Sequence, residues 1–123
     1  MKPRILVVDD DDTIRELVTM ALEDEGYATA TARQGQEALT LIGQMPVDLI
    51  LLDMRMPVMD GSEFARAYHA GPGPHAPIIV LTAGRNAAEV LGQTQASGFL
   101  AKPFELSELL ALVAKATNGR RAG

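Results

Sequence analysis

Four consecutive carboxylates, Asp9 to Asp12, follow the apolar run Ile5-Leu6-Val7-Val8. A short run rich in β-branched residues reads as a buried strand. The aspartates then lie at its carboxyl end, where open α/β sheets bind their ligands. Like charges ~4 Å apart repel by ~4 kcal/mol at an effective dielectric of ~20, and a hard divalent cation with oxygen ligands would offset that repulsion. Three more chemically able residues follow apolar runs in the same way: Asp53 after Leu49-Ile50-Leu51-Leu52, Thr82 after Ile78-Ile79-Val80-Leu81, and Lys102 after Gly98-Phe99-Leu100-Ala101. Carboxylates for a metal, a hydroxyl donor and one fixed cation suit the binding and transfer of a phosphoryl group, whose charge must be neutralised and whose oxygens need positioned donors. Asp53, on the central run, is the best-placed acceptor.

The elements that must position these residues alternate regularly. Strands are expected over 4–8, 28–32, 48–52, 78–81 and 98–101, and helices over about 12–25, 36–44, 62–70, 86–95 and 105–116. In the first helix Ile14, Leu17, Val18, Ala21 and Leu22 keep the spacing of one helical face, and Gly26 reads as its stop. The second turns Ala38, Leu41, Ile42 and Met45 inward and ends at Pro46; the fifth turns Leu106, Leu109, Leu110 and Val113 inward and ends at Asn118-Gly119. The run Gly71-Pro72-Gly73-Pro74 breaks the third. The polar, glutamine-rich segment 90–96 marks the fourth as short or mobile. Strands joined by helical crossovers imply a parallel sheet covered on both faces, a doubly wound α/β fold with strand order 2-1-3-4-5 favoured.

At 123 residues, the chain suits one domain with one core. The expected division is a domain over 1–117 and a tail or linker stub over 118–123. A net charge of −5 argues against nucleic acid as a direct partner, and Arg120-Arg121 is the only basic cluster. Cysteine is absent, which excludes disulfide and thiol chemistry and fits a reducing compartment. No apolar stretch approaches the ~18 residues of a membrane span. Met1-Lys2-Pro3-Arg4 leaves no room for a signal peptide before the first strand, so the expected location is the cytoplasm.

Taken together, Ile5 to Asp10, Asp53-Met54-Arg55-Met56-Pro57 with Asp60-Gly61, Thr82-Ala83, and Gly98-Phe99 with Lys102-Pro103-Phe104 resemble bacterial two-component response-regulator receiver domains, chemotaxis receivers among them. The resemblance spans essentially the whole chain. It implies a flavodoxin-like sheet of order 2-1-3-4-5, the order chemotaxis receivers themselves show, and a phosphorelay function. Asp53 would take the phosphoryl group from a histidine kinase or histidine phosphotransfer protein. Mg²⁺, or Mn²⁺ in its place, would be held by Asp10, Asp53 and the backbone carbonyl of Arg55, with Asp9 acting through a metal-bound water. Lys102 would pair with Asp53 and then with a phosphoryl oxygen. Thr82 would bind another and move inward, Phe99 would change rotamer with it, and the bond before Pro103 would be cis. The fourth helix, fifth strand and fifth helix would form the readout face for a downstream protein, with the chain a monomer or weak dimer. It would be a switch rather than an enzyme, catalysing its own phosphorylation and slow dephosphorylation. Arg55 and Gly84 flank the site at positions that tune phosphoryl lifetime in receivers. The fifth helix lacks the arginine found after alanine in receivers that dimerise for winged-helix DNA-binding partners, which argues against that dimer.

Blander readings compete at several positions. Asp11 and Asp12 suit the start of the first helix, where an aspartate gains ~0.3–1 kcal/mol from the dipole. Phe99 could be core, and Met54, Met56 and Met59 read as loop packing and partner contact. His69 and His75 read as solvated surface residues, and Gly61 as a positive-φ or close-approach position. Asp9-Asp10-Asp11-Asp12-Thr13 also fits the Asp-x-Asp-x-Thr motif of haloacid-dehalogenase phosphatases, with Asp9 as nucleophile and Asp11 as general acid/base. The chain lacks that family's second acidic pair after strand 4, and Thr82-Ala83-Gly84 stands there instead. A receiver-shaped module that takes no phosphate is the third reading.

Overall fold

The computed structural model describes residues 2–56, 58–83 and 87–121, and of Ala87 and 118–121 the backbone alone. Its elements run β1 (Arg4–Val8), α1 (Asp12–Asp24), β2 (Ala28–Ala32), α2 (Gly35–Gln44), β3 (Leu49–Asp53), α3 (Gly61–Ala70), β4 (Ile78–Thr82), α4 (Ala87–Thr94), β5 (Gly98–Ala101) and α5 (Leu106–Arg121). The strands form one parallel sheet in the order β2-β1-β3-β4-β5. The low-hydrophobicity strand β2, Ala28-Thr29-Ala30-Thr31-Ala32, takes an edge, where few side chains need burial.

Strand geometry sends successive side chains to opposite faces, and the core divides accordingly. Ile5, Val7, Leu49, Leu51, Ile79 and Leu81 pack with Val18 and Leu22 of α1 and Leu109 and Val113 of α5. Leu6, Val8, Ile50, Leu52, Ile78 and Val80 pack with Ala38 of α2, Phe64 and Tyr68 of α3 and Val90 of α4. Each fully buried aliphatic side chain stabilises by roughly 1.5–3 kcal/mol, so the three central strands are the anchor of the sheet.

The caps are local. Asp11 is the N-cap of α1, its Oδ1 accepting from the Thr13 and Ile14 N–H groups at 2.9 and 3.1 Å. At the other end Gly26 has φ +92°, its N–H bonds Glu23 O at 3.0 Å, and the Tyr27 N–H bonds Leu22 O at 3.1 Å. Those two bonds make a Schellman stop. Asp60 caps α3 and exchanges bonds with Glu63, 2.9 Å one way and 3.2 Å the other, a capping box.

Three sequence expectations change, and of the two readings open for Gly61 one holds. Leu17 is 51% exposed rather than inward, and Leu106 is also exposed; both sit at the rim of their helix's apolar stripe and line a surface groove between α1 and the start of α5. Helix α5 continues through Asn118-Gly119 to Arg121. Glycine costs only ~1 kcal/mol in a helix interior, too little to end one whose next turn bonds locally. His69 and His75 are half-buried and pack against Tyr68 at ring-centroid distances of 5.5 and 4.9 Å, the first tilted and the second edge-on, because the glycine-proline loop folds back over the end of α3. Gly61 serves close approach: a Cβ there would lie 2.9 Å from both the Asp53 carbonyl oxygen and Met54 Cα. Among the described residues Gly26 is the glycine with positive φ.

Candidate functional site

Register gathers the site. Val8 lies opposite Leu52, so the next residue on each strand, Asp9 and Asp53, reach the same rim together. Asp53 lies opposite Leu81, which carries Thr82 one step beyond it. Thr82 lies opposite Ala101, and the Lys102 N–H bonds Thr82 O at 2.7 Å. Four chain segments therefore present one acidic, hydroxyl and cationic cluster at the carboxyl edge.

Asp9 is fully buried and held at every polar atom. Its N–H donates to Ala32 O at 3.1 Å, Oδ1 accepts from the Asp11 N–H at 2.9 Å, Oδ2 accepts from Lys102 Nζ at 3.0 Å, and its carbonyl accepts from Arg15 Nη1 at 2.8 Å. Asp53 is 6% exposed. Lys102 Nζ stands 3.3 Å from its Oδ1, and the Arg55 N–H reaches the same oxygen at 3.4 Å. One ammonium thus bridges two carboxylates. Burial and the Asp9 charge push the Asp53 carboxyl up to about 6, against the opposing pull of Lys102 and the Arg55 N–H. Burial acts to lower the Lys102 ammonium, but the Asp9 hydrogen bond and the Asp9 and Asp53 charges leave it above its usual value.

Asp10 is exposed at the mouth. One oxygen each from Asp9, Asp10 and Asp53 lie within 4.8 Å of one another. Opposite ligands of an octahedral Mg²⁺ stand ~4.2 Å apart, so small side-chain adjustments close this trio on the ion, and an all-oxygen donor set suits Mg²⁺ or Mn²⁺. The cluster could hold such a metal. A cleft of about 250 Å³ opens over it, lined in part by Asp10, Asp53, Arg55, Thr82 and Lys102. Thr82 is buried. Phe99, half-buried on β5, packs against the core cluster that contains Val90 of α4, and the Lys102–Pro103 peptide is cis. Gly84 and Pro57 lie outside the described residues.

Residues 5–114 match the response regulator receiver domain. The chain belongs to that family. The receiver is similar to the DNA-binding response regulator MtrA of Mycolicibacterium smegmatis, 41% identical over 115 residues, which are 92% of this chain and 50% of that protein. Response regulator MprA of Mycobacterium tuberculosis is 42% identical over 113 residues, 90% of this chain and 49% of that protein. The chain spans about half the length of these curated relatives. Among solved structures, the chemotaxis response regulator CheY4 of Vibrio cholerae superposes with a TM-score of 0.86 at 33% identity, covering 94% of this chain and all but 1% of that one, 99%. The Francisella response regulator 1452 receiver domain gives 0.89 at 30% identity, covering 97% of this chain and 99% of that one. The receiver domain is a phospho-accepting signalling module of two-component systems rather than a classical enzyme. Among the described residues no helix is long and apolar enough to cross a membrane.

Family membership overturns the phosphatase reading, and the geometry gives the reason. Asp9, its would-be nucleophile, is shielded, with both carboxylate oxygens engaged, and Asp11 is committed to capping α1. His69 and His75 sit beyond the amino end of β4, at the opposite edge of the sheet from the cluster. Sequence reasoning missed Arg15 and, though it singled out Asp60, missed that residue's capping role; both support the rim. Arg15 reaches back from α1 to the Asp9 carbonyl, and its (i, i+3) spacing from Asp12 was the available signal. Asp60 fixes the start of α3 after the loop that follows Asp53, and the Asp60-x-x-Glu63 spacing announced it.

Proposed function

We propose that Asp53 is the phosphoryl acceptor of this receiver. The observation that carries the reading is the Lys102 ammonium set 3.0 Å from Asp9 and 3.3 Å from Asp53, beside three carboxylates whose oxygens converge. An Asp53 oxygen attacks the phosphorus of a phosphohistidine on a histidine kinase or phosphotransfer protein. The P–O bond forms as the P–N bond breaks, and the imidazole leaves with the electron pair. Asp53, raised to about 6, is ionised and nucleophilic at neutral pH. Asp10, Asp53 and the Arg55 carbonyl would hold Mg²⁺, with Mn²⁺ as a substitute and Asp9 acting through water; the bound ion supplies charge neutralisation for an incoming dianion. Lys102 neutralises a phosphoryl oxygen, and the Thr82 hydroxyl donates to another.

The acyl phosphate adds ~1.5–2 negative charges. Lys102 and Thr82 bind it better when Thr82 moves inward, and that differential affinity shifts the population. Phe99, which packs in the same core as Val90, carries the change to the face formed by α4, β5 and α5. The chain dephosphorylates itself slowly, with Arg55 and Gly84 setting the rate. Residues 1–117 form the signalling unit and 118–123 continue as tail or linker. The direct partners are proteins, the phosphodonor and a downstream target, because a net charge of −5 disfavours nucleic acid. The chain acts in the cytoplasm as a monomer or weak dimer. The apolar groove of about 420 Å³ beside Lys102, lined by Ile14, Leu17, Pro103, Phe104 and Leu106 among others, supports docking of the donor there.

The test is a beryllofluoride titration followed by NMR, with and without Mg²⁺, on wild type and Asp53→Ala. Mg²⁺-dependent shifts at Thr82, Phe99 and α4 that vanish in the variant are expected. No response in wild type would leave a module that takes no phosphate, and a response surviving in Asp53→Ala would overturn Asp53 as acceptor.

A further inference from the structure

Arg15 lies outside every motif that marks the rim, yet its contacts converge on it. It sits in the first turn of α1, and its side chain is 15% exposed. Nη1 donates to the Asp9 carbonyl at 2.8 Å, while Nη2 pairs with the exposed Asp12 carboxylate. The Asp9 carbonyl belongs to the peptide that joins the two adjacent metal-site aspartates. With Lys102 on the Asp9 carboxylate and the Asp9 N–H on β2, the guanidinium completes a clamp that fixes both ends of Asp9. The orientation of the Asp9–Asp10 peptide decides where the exposed Asp10 carboxylate is aimed, because among the described residues no side-chain hydrogen bond holds that carboxylate.

We infer that Arg15 is a positioning residue for the divalent cation: its bond to the Asp9 carbonyl sets the Asp9–Asp10 peptide so that an Asp10 carboxylate oxygen stays within 4.8 Å of one from Asp53, where both would hold the ion. The inference rests on the reading of Asp9, Asp10 and Asp53 as the metal cluster. Its sign separates it from plain electrostatics. Arg15 is a fixed positive charge next to a cation site, so its Coulomb effect alone weakens metal binding, and removing that charge should tighten it. Loss of positioning acts in the opposite direction, since groups that orient metal ligands typically change affinity by ~10–100-fold.

The experiment compares wild type, Arg15→Met, Arg15→Lys and Asp12→Asn. Mg²⁺ affinity is measured by calorimetry, and the ¹⁵N shift of the Asp10 amide, which reports the hydrogen bond on the preceding carbonyl, is read in metal-free protein. Arg15→Met should weaken Mg²⁺ binding about tenfold and move the Asp10 ¹⁵N signal before any metal is added. Arg15→Lys, which keeps a charged donor of similar reach, should restore most of both. Asp12→Asn, which leaves the bond to Asp9 in place, should change neither. Unchanged or tighter binding in Arg15→Met would overturn the inference, as would an unmoved Asp10 signal. If Arg15→Met fails to fold, Arg15→Ala, which removes the donor while keeping high helix propensity, decides instead: weaker Mg²⁺ binding with a moved Asp10 signal in the folded variant supports positioning, and unchanged values of both overturn it. Absence of Mg²⁺ binding in wild type would instead remove the metal-site reading, while the metal-free Asp10 shift would still judge the clamp.

Discussion

Asp9 and Asp10 are adjacent in the chain but have opposite environments, and their roles follow from that. Asp9 is buried with its oxygens taken by Asp11, Lys102 and Arg15; Asp10 is exposed. Asp10→Asn should therefore weaken Mg²⁺ binding and phosphorylation together, by ~10-fold or more, with urea stability held within ~0.5 kcal/mol, as for other exposed substitutions. Unchanged Mg²⁺ affinity in a calorimetric titration would remove Asp10 from the ligand set. Lys102 has a different part. Lys102→Ala should leave Mg²⁺ binding largely intact while beryllofluoride no longer moves the Thr82 and Phe99 resonances. A normal shift in that variant would contradict the switch described above.

Two glycines show how an element can matter with or without touching the site. Gly26 ends α1 at φ +92°, and a Cβ there meets nothing within 4 Å. Gly26→Ala should cost ~1 kcal/mol, the left-handed penalty alone, and leave Mg²⁺ affinity unchanged. Gly61 opens α3 against the carboxyl end of β3, where a Cβ would press on the Asp53 carbonyl and Met54 Cα, backbone that cannot swing aside. Gly61→Ala should cost more, ~1–3 kcal/mol, and should also weaken Mg²⁺ binding, because the displaced peptide carries Asp53. Urea denaturation with a parallel metal titration checks both, and equal effects of the two substitutions on metal affinity would refute the distinction.

For the whole molecule, the carboxylate cluster sets a pH dependence of unusual sign. The Asp53 carboxyl lies at about 6 in the folded protein against 3.8 ordinarily. Between those values the folded state binds the extra proton, so metal-free stability falls as pH rises through ~4 to 6. Two pKa units correspond to on the order of 2–3 kcal/mol. Urea denaturation in chelator across this window should show the decline, and Asp53→Asn should flatten it and raise stability near pH 7. Mg²⁺ competes with the same proton, so the rise in Tm on adding Mg²⁺ should be larger at pH 7.5 than at pH 5. A metal-free stability that climbs from pH 4.5 to 6.5 in wild type but not in Asp53→Asn would reverse the assigned sign.

The alternation of strands and helices, the buried character of the central strands and the residues that stand at their carboxyl ends are legible in the chain alone. Those are consequences of local periodicity: aliphatic runs such as Ile78-Ile79-Val80-Leu81 end where a polar residue begins, and Gly26 and Asp11 act through bonds to neighbours two to four residues away. The tertiary structure decided what depends on register and packing between distant segments. No local pattern reports that Lys102 bridges Asp9 and Asp53, that burial raises the Asp53 carboxyl, or that Arg15 turns back to the Asp9 carbonyl. Nor does the apolar stripe of α1 disclose that Leu17 stays exposed, since the width of a buried face is set by the neighbours that cover it. Hydrophobic periodicity fixes which side of an element turns inward, whereas the energy of a charge depends on the partners and dielectric that the assembled fold brings around it.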